Sequence, residues 1–203
     1  MSLNTATAAT GNKDFGRVGE GSYPARVVQI VDLGMQQQTD WQTGEDKTWD
    51  SGDLMVKPEV YIAFELPTET IEVNGEEKPR WLSKTYILSN HEKASLTGVM
   101  AAAGVKSTNV AELLDKPVGI TVGTTSGGKD KVTAVAPVMK GMEVAALANP
   151  SVVFDLDSPD MTIFDKLPNF IKEKLEGKMG TVQDSGTANS DSSVEDDNDN
   201  PFS

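Results

Sequence analysis

The stretch MVKPEVYIAFEL, residues 55–66, has the clearest alternation of apolar and polar side chains in the chain. A period of two places successive side chains on opposite faces of a β-strand. Five residues share one of these faces: Val56, Val60, Ile62, Phe64 and Leu66. We predict that this face is core and that Tyr61 lies on the opposite face.

Two more strands are predicted around this one. The segment YPARVVQIVDL, residues 23–33, precedes it and is rich in β-branched residues, which favour strands. After it, Asn74-Gly75 is a strong signal for a tight hairpin turn. The next predicted strand is RWLSKTYIL, residues 80–88.

A helix and a second hairpin follow these strands. Residues 89–92, SNHE, fit a capping box for a helix that Gly104 would end. Two strands joined by a glycine-bearing turn come next, PVGITVGTT at 117–125 and KVTAVAPV at 131–138. We therefore predict a mainly β fold, a five-stranded OB-like barrel with a helix between strands three and four.

The composition excludes several kinds of site. The chain has 203 residues, no cysteine and a single histidine, His91, which excludes disulfides and metal centres built on Cys or on several His. Acidic residues such as Asp155 and Asp157 have no companion nucleophile or phosphate-binding loop, so we predict no enzyme, no cofactor and no metal. No apolar run approaches the ~20 residues that cross a bilayer, which predicts a cytoplasmic protein without a membrane partner.

The net charge of −13 is distributed unevenly along the chain. Residues 80–140 carry eight basic and four acidic side chains, whereas the segments on either side are net acidic. In an OB barrel, strands two and three and the loops between strands one and two and strands four and five form the binding face. Several of the basic residues are predicted to fall on that face.

Aromatic residues are predicted on the same face. Single strands are bound by cations that follow the phosphates and by flat side chains on which bases stack. Nine residues are therefore candidate DNA contacts: Trp41, Trp49, Lys57, Tyr61, Arg80, Lys84, Tyr86, Lys129 and Lys131. Trp81 shares a strand face with Ile87, which favours a place in the core over contact with DNA.

The chain ends in a second motif, SSVEDDNDNPFS at residues 192–203. This ending, with the segments EGSYPARVVQIVDLG, AFELP, RWLSKTYILS and AELLDKPVGITV, resembles the single-stranded DNA-binding proteins of bacteria and bacteriophages. The phage replication and recombination proteins of this type are the closest likeness. In the bacterial proteins the phenylalanine is the last residue, whereas here Ser203 follows Phe202.

The resemblance implies a sequence-nonspecific single-stranded DNA-binding protein whose tail has two roles. The acidic residues would occupy the cationic groove when DNA is absent, and the phenylalanine would dock on a polymerase, helicase or nuclease. The tail residues concerned are Asp196, Asp197, Asp199, Pro201 and Phe202. A phage-encoded protein of this kind would work in the host cytoplasm.

The predicted organisation has four parts, and some alternatives stay open. We predict a flexible arm at 1–21, an OB domain at 22–140, an extension with an amphipathic helix at 141–180 and a disordered acidic tail at 181–203. The extension either packs on the barrel or makes a homo-oligomer contact. Two other functions fit the same sequence: a phage accessory or assembly protein that does not bind DNA, and an acidic DNA mimic that inhibits DNA-binding enzymes.

Overall fold

Three long strands begin the fold, as the alternating segments predict. A computed structural model describes residues 16–40 and 42–182 of the chain. The strands are β1 (Gly21–Gln37), β2 (Val56–Val73) and β3 (Glu76–Ile87). Asn74 and Gly75 join the last two with φ angles of 57° and 82°, the left-handed conformation of an Asn-Gly hairpin turn. The predicted hairpin is therefore confirmed.

Seven further elements follow β3. The first four are α1 (Ser95–Ala102), a 3₁₀ turn (Val110–Leu113), β4 (Pro117–Thr124) and β5 (Asp130–Ala136). The extension then adds β6 (Val152–Phe154), α2 (Met161–Phe164) and α3 (Asn169–Val182). The mainly β fold and the helix between strands three and four are confirmed.

The predicted capping box at residues 89–92 is wrong, because α1 begins later and no side chain caps its first turn. Ser89 Oγ instead accepts a hydrogen bond from the N–H of His91 at 3.3 Å. The N–H of Ala94 donates to the carbonyl oxygen of His91 at 2.8 Å. These two turns occupy the segment that follows β3. Gly104, with a φ of 72°, follows the end of the helix as predicted.

Strands β1 to β5 form one antiparallel sheet in the order β3-β2-β1-β4-β5, and β6 pairs in parallel with β1. The first part of β1, from Gly21 to Arg26, pairs with β4, and the second part, from Arg26 to Gln37, pairs with β2. β3 and β5 approach each other, but no ladder joins them in the part of the chain that the structure describes. The hydrogen-bonded sheet is therefore open at the point where a barrel would close.

The first core lies between one face of the sheet and α1. The face of β2 predicted as core is buried over residues 60–66, and α1 contributes Leu96, Val99 and Met100. Val56 was also predicted as core, but it is 40% exposed. It pairs with Gln37 at the far end of the β1–β2 ladder, beyond the packed centre of the sheet.

A second core covers the other face of the sheet. The extension packs there against β1 and β2, so packing on the sheet is the alternative that the structure shows for this segment. The sheet contributes Val28, Val31, Leu33, Tyr61 and Ala63, and the extension contributes Phe154, Leu156, Phe164, Leu167, Ile171 and Leu175. β2 is consequently buried on both faces between residues 60 and 66.

Polar contacts to backbone carbonyls tie the extension to the sheet. Arg26 donates to the carbonyl oxygens of Val144 at 2.8 Å and Ala145 at 2.6 Å. Near the end of α3, Lys178 donates to the carbonyl oxygen of Met35 at the end of β1. Both cations thus donate to backbone carbonyl groups across the junction between the extension and the sheet.

Gly34 lies at a bulge in β1 and offers a test of how closely the extension packs. Its φ is 62°, and a Cβ atom there would lie 2.6 Å from Cδ2 of Leu156. We expect Gly34→Ala to lower the free energy of unfolding by about 1–2 kcal/mol, because a side chain disfavours the left-handed conformation. Urea unfolding followed by circular dichroism measures the change.

Gly98 provides the matched control because it lies inside α1 with open space around its missing side chain. Gly98→Ala should raise the free energy of unfolding by about 0.5–1 kcal/mol, as expected for a helix interior. Equal effects of the two substitutions would contradict the positive φ and close packing described for Gly34.

Candidate nucleic-acid interface

Both tyrosines predicted to stack on bases are buried. Tyr86 is 3% exposed and lies in the first core, where it pairs with Val60. The prediction that it faces away from the core is therefore wrong. Tyr61 does lie on the opposite face of β2, as predicted, but the extension covers it, and its ring centroid is 5.9 Å from that of Phe170.

Burial also changes the acidity of the two phenols. Burial raises the pKa of Tyr61, and a hydrogen bond with Ser83 offsets only part of this effect. Burial raises the pKa of Tyr86 more strongly. Its hydroxyl oxygen is enclosed without a hydrogen-bond partner among the described residues. Neither ring is available as a stacking surface in this conformation.

Trp81 differs from the two tyrosines, because it was predicted as core but is exposed. The alternation along β3 places Tyr86 on the core side, so Trp81 and Ile87 lie on the outer face with exposures of 41% and 38%. The indole Nε1–H of Trp81 donates to Oε2 of Glu65 at 3.1 Å. One edge of the ring is thereby held while part of its surface faces solvent.

A cleft of about 480 Å³ opens beside Trp81. Its walls come from the β2–β3 hairpin, including Ile71 and Lys78, and from residues 16–18. Arg80 lies on this wall and donates to the carbonyl oxygens of Gly16 at 3.0 Å and Thr70 at 3.2 Å. The predicted phosphate contact Arg80 therefore helps to hold the cleft together.

The strand and loop cations predicted as DNA contacts occupy different surroundings. The Nζ atom of Lys84 lies on the inner side of β3, 5.2 Å from the centre of the Tyr86 ring. Lys57 lies beyond the far end of β3, with its Nζ atom 5.7 Å from the centre of the Trp49 ring. Trp49 is 45% exposed. The remaining loop candidate, Trp41, lies outside the described residues.

The predicted β4–β5 hairpin is confirmed, and its two lysines are exposed. Lys129 and Lys131 flank Asp130 and form no ion pair within the described ranges. Asp130 is engaged with the segment before β1, accepting from the side chain of Arg17 at 3.1 Å and from the N–H of Val18 at 2.6 Å. This contact holds the segment before β1 against β5, at the gap between β3 and β5 where the sheet is open.

The outer face of β3, which carries Trp81 and Ile87 and was predicted as the core side, stays uncovered. From Trp81 to Ile87, its exposed residues extend over roughly 20 Å, at about 3.3 Å per residue. The N–H of Leu88 donates to the carbonyl oxygen of Pro58, next to Lys57, so the pair of Trp49 and Lys57 lies near the far end. We call this surface the β3 strip; it runs between two exposed tryptophans and includes Ser83 and Thr85.

The loop between β1 and β2 is more ordered than its composition indicates. Two isolated bridges cross it, one between Thr39 and Asp46 and one between Thr48 and Leu54. The N–H of Trp49 donates to the carbonyl oxygen of Asp53 at 2.8 Å. These contacts fix the backbone that carries the Trp49 ring.

Two other kinds of feature are not found in the described part of the chain. No group of three or more His, Cys, Asp or Glu side chains there could hold a metal ion. No helix within those ranges is both long and apolar enough to cross a membrane.

No model of a known protein family matches the chain, and no curated protein matches it. The resemblance to single-stranded DNA-binding proteins therefore rests on the sequence segments and on the acidic ending. The tail residues from Asp196 to Phe202 lie outside the described residues.

The burial of Tyr86 predicts how stability depends on alkaline pH. Below pH ~10, the usual pKa of tyrosine, the phenol is neutral in both the folded and the unfolded state. Above that pH the unfolded state ionises first, because burial raises the pKa of Tyr86 in the folded state, so stability is lost as pH rises. We expect Tyr86→Phe to reduce this loss.

Urea unfolding at pH 8 and pH 11 measures the effect. At pH 8 the free energy of unfolding of the variant should match that of the wild type within about 1 kcal/mol. The reason is that the Tyr86 hydroxyl makes no hydrogen bond in the described part of the core. Identical slopes against pH for the wild type and the variant would show that the ring is accessible to solvent.

Proposed function

We propose that this protein binds single-stranded DNA without sequence preference and does so without catalysis. The observation that carries the proposal is the pair of exposed tryptophans at the two ends of the β3 strip. Each ring has a partner that orients it: Glu65 for Trp81 and Lys57 for Trp49. Fixed, solvent-facing rings are the platforms on which successive bases stack in proteins that bind single strands.

Cations around the β3 strip are proposed to contact the phosphates. Lys57 lies at one end and Lys78 in the wall of the cleft at the other. Lys129 and Lys131 lie exposed on the β4–β5 hairpin. Since the chain as a whole carries a charge of −13, stacking supplies more of the affinity than phosphate contacts do, and the dependence on salt is shallow.

We also propose that the sheet is a partly open OB-like barrel. The strand order β3-β2-β1-β4-β5, with a helix between β3 and β4, supports this assignment. β3 and β5 would be the closing neighbours, and residues 16–18 bridge them through Arg80 on one side and Asp130 on the other. The β3 strip then corresponds to part of the usual ligand face of that fold.

The acidic tail is proposed to compete with DNA and to recruit replication or recombination proteins in the host cytoplasm. α3 ends at Val182, and Lys178 near this end contacts Met35 at the end of β1. The 21 residues from 183 to 203 could span at most roughly 70 Å if extended. That length is sufficient for its carboxylates to reach the cations around the β3 strip.

Removing the Trp81 ring tests the stacking platform directly. We expect Trp81→Ala to weaken binding of a fluorescein-labelled thymidine oligomer roughly 5- to 150-fold, which corresponds to about 1–3 kcal/mol for one stacked base. Fluorescence anisotropy at low salt measures the dissociation constant. Met139→Ala is the control, because this side chain is 68% exposed and lines a cleft with Tyr23 of β1 and Ile120 of β4. Equal losses in the two variants would refute a specific role for Trp81.

Removing the tail tests its competition with DNA. A chain that ends at Gly180 should bind the same oligomer about two- to tenfold more tightly than the full chain, because the competing carboxylates are gone. A full-length variant with Asp196, Asp197 and Asp199 changed to Asn should shift in the same direction, which separates the effect of charge from that of length.

Two salt concentrations complete this experiment. Both forms should bind more weakly at high salt, and the difference between them should shrink as the charges are screened. If neither form binds even at low salt, the single-strand proposal is wrong. The tail would then be studied as a docking or solubility element of an accessory protein.

A further inference from the structure

Glu65 is the one charged side chain that is completely buried among the described residues, with an exposure of 0%. Burying a carboxylate costs free energy unless hydrogen bonds satisfy it. Its neighbours on the same face of β2, Tyr61 and Ala63, belong to the apolar second core. The hydrogen-bond donors around the Glu65 carboxylate therefore indicate its role.

Three donors converge on the Glu65 carboxylate. Oε2 accepts from Nε1 of Trp81 at 3.1 Å and from Nδ2 of Asn149 at 2.7 Å. Oε1 accepts from the backbone N–H of Ala148 at 2.7 Å. The carboxylate thus joins an exposed ring on β3 to the first part of the extension. No basic side chain forms an ion pair with it in the described part of the chain.

The bond to Glu65 restricts how the Trp81 ring can turn. Glu65 and Trp81 are direct partners in the β2–β3 ladder, so the indole edge is held close to the sheet. Rotation of the ring would break a hydrogen bond to a charged acceptor, which is stronger than a neutral one. A ring ordered before binding loses less conformational entropy when a base stacks on it.

We infer that Glu65 is a positioning residue that holds the Trp81 ring ready to stack on a base. This inference rests on the proposed function and deepens it, since it names the group that prepares the stacking surface. Glu65 itself is completely buried and presents no surface to DNA. It acts through Trp81, and through Ala148 and Asn149 it makes the orientation of the ring depend on the docked extension.

The first experiment measures the Trp81 indole in the full chain without DNA. Hydrogen exchange of the Nε1–H is followed by NMR, and the Trp81 signal is assigned as the one that Trp81→Phe removes. Trp49 is an internal control, because it is similarly exposed but its indole has no acceptor among the described residues. The Trp81 N–H should exchange about tenfold or more slowly than that of Trp49.

Glu65→Gln should abolish most of this difference. The amide offers one acceptor oxygen where the carboxylate offers two, so the hydrogen bond to Trp81 either breaks or has an uncharged acceptor. Glu59→Gln is the matched control on the same face of β2, where Glu59 accepts from Gln38 at 2.8 Å. Exchange of the wild-type Trp81 N–H as fast as that of Trp49 would overturn the inference, whether or not the protein binds DNA.

The second experiment is a double-mutant cycle with the labelled thymidine oligomer. Glu65→Gln and Trp81→Phe should each weaken binding about three- to tenfold, and the double variant should lose little more than either. Glu59→Gln should leave the affinity unchanged within about twofold. If Glu65→Gln weakens binding equally with Trp and with Phe at position 81, its role is structural and the inference fails.

Two further outcomes complete the test. If Glu65→Gln does not fold, Trp81→Phe alone provides the binding test. This substitution replaces the indole by a phenyl ring, which can still stack but has no N–H to donate to Glu65. Wild-type affinity in that variant would overturn the inference. If the wild-type protein binds no oligomer while the Trp81 N–H is protected, the proposed function fails but the positioning contact stands.

Discussion

The burial of β2 on both of its faces is the constraint on which the rest of the structure depends. An apolar strand of this kind needs a packed layer on each side. One layer contains α1, and the other is the extension, whose Phe154, Ile171 and Leu175 are almost completely buried. The extension therefore contributes to the same packed structure as the sheet. Arg26 and Lys178 reinforce this packing by donating to carbonyl groups across the junction.

Covering β2 also decides which surface of the sheet stays exposed. The extension occupies the face that carries Tyr61, so the exposed surface is displaced to the outer face of β3, where Trp81 and Ile87 lie. Glu65 lies at the border between the covered and the open surface and binds groups on both sides. The same carboxylate thereby links the packing of the extension to the orientation of an exposed aromatic ring.

The faces of β3 and the register of its pairing show why the site was harder to predict than the strands. RWLSKTYIL has large apolar side chains on both faces, so its alternation indicates a strand without showing which face is buried. Counting back from the Asn74-Gly75 turn does not pair Trp81 with Glu65 either, because the β2–β3 register shifts between Leu66 and Thr70. Glu65 could therefore not be identified from the sequence as the hydrogen-bond partner of Trp81.

The amino-acid sequence by itself determined the positions of strands β1 to β5, the two hairpins and the helix between strands three and four. Those features depend on local periodicity and on turn residues such as Gly75. It also determined the basic segment and the acidic ending, which are matters of composition. Only the tertiary structure decided that Tyr61 and Tyr86 are buried and that Trp81 is exposed. Exposure depends on which distant segments cover a strand, and the segment that covers β2 lies far along the chain, where no local pattern connects the two.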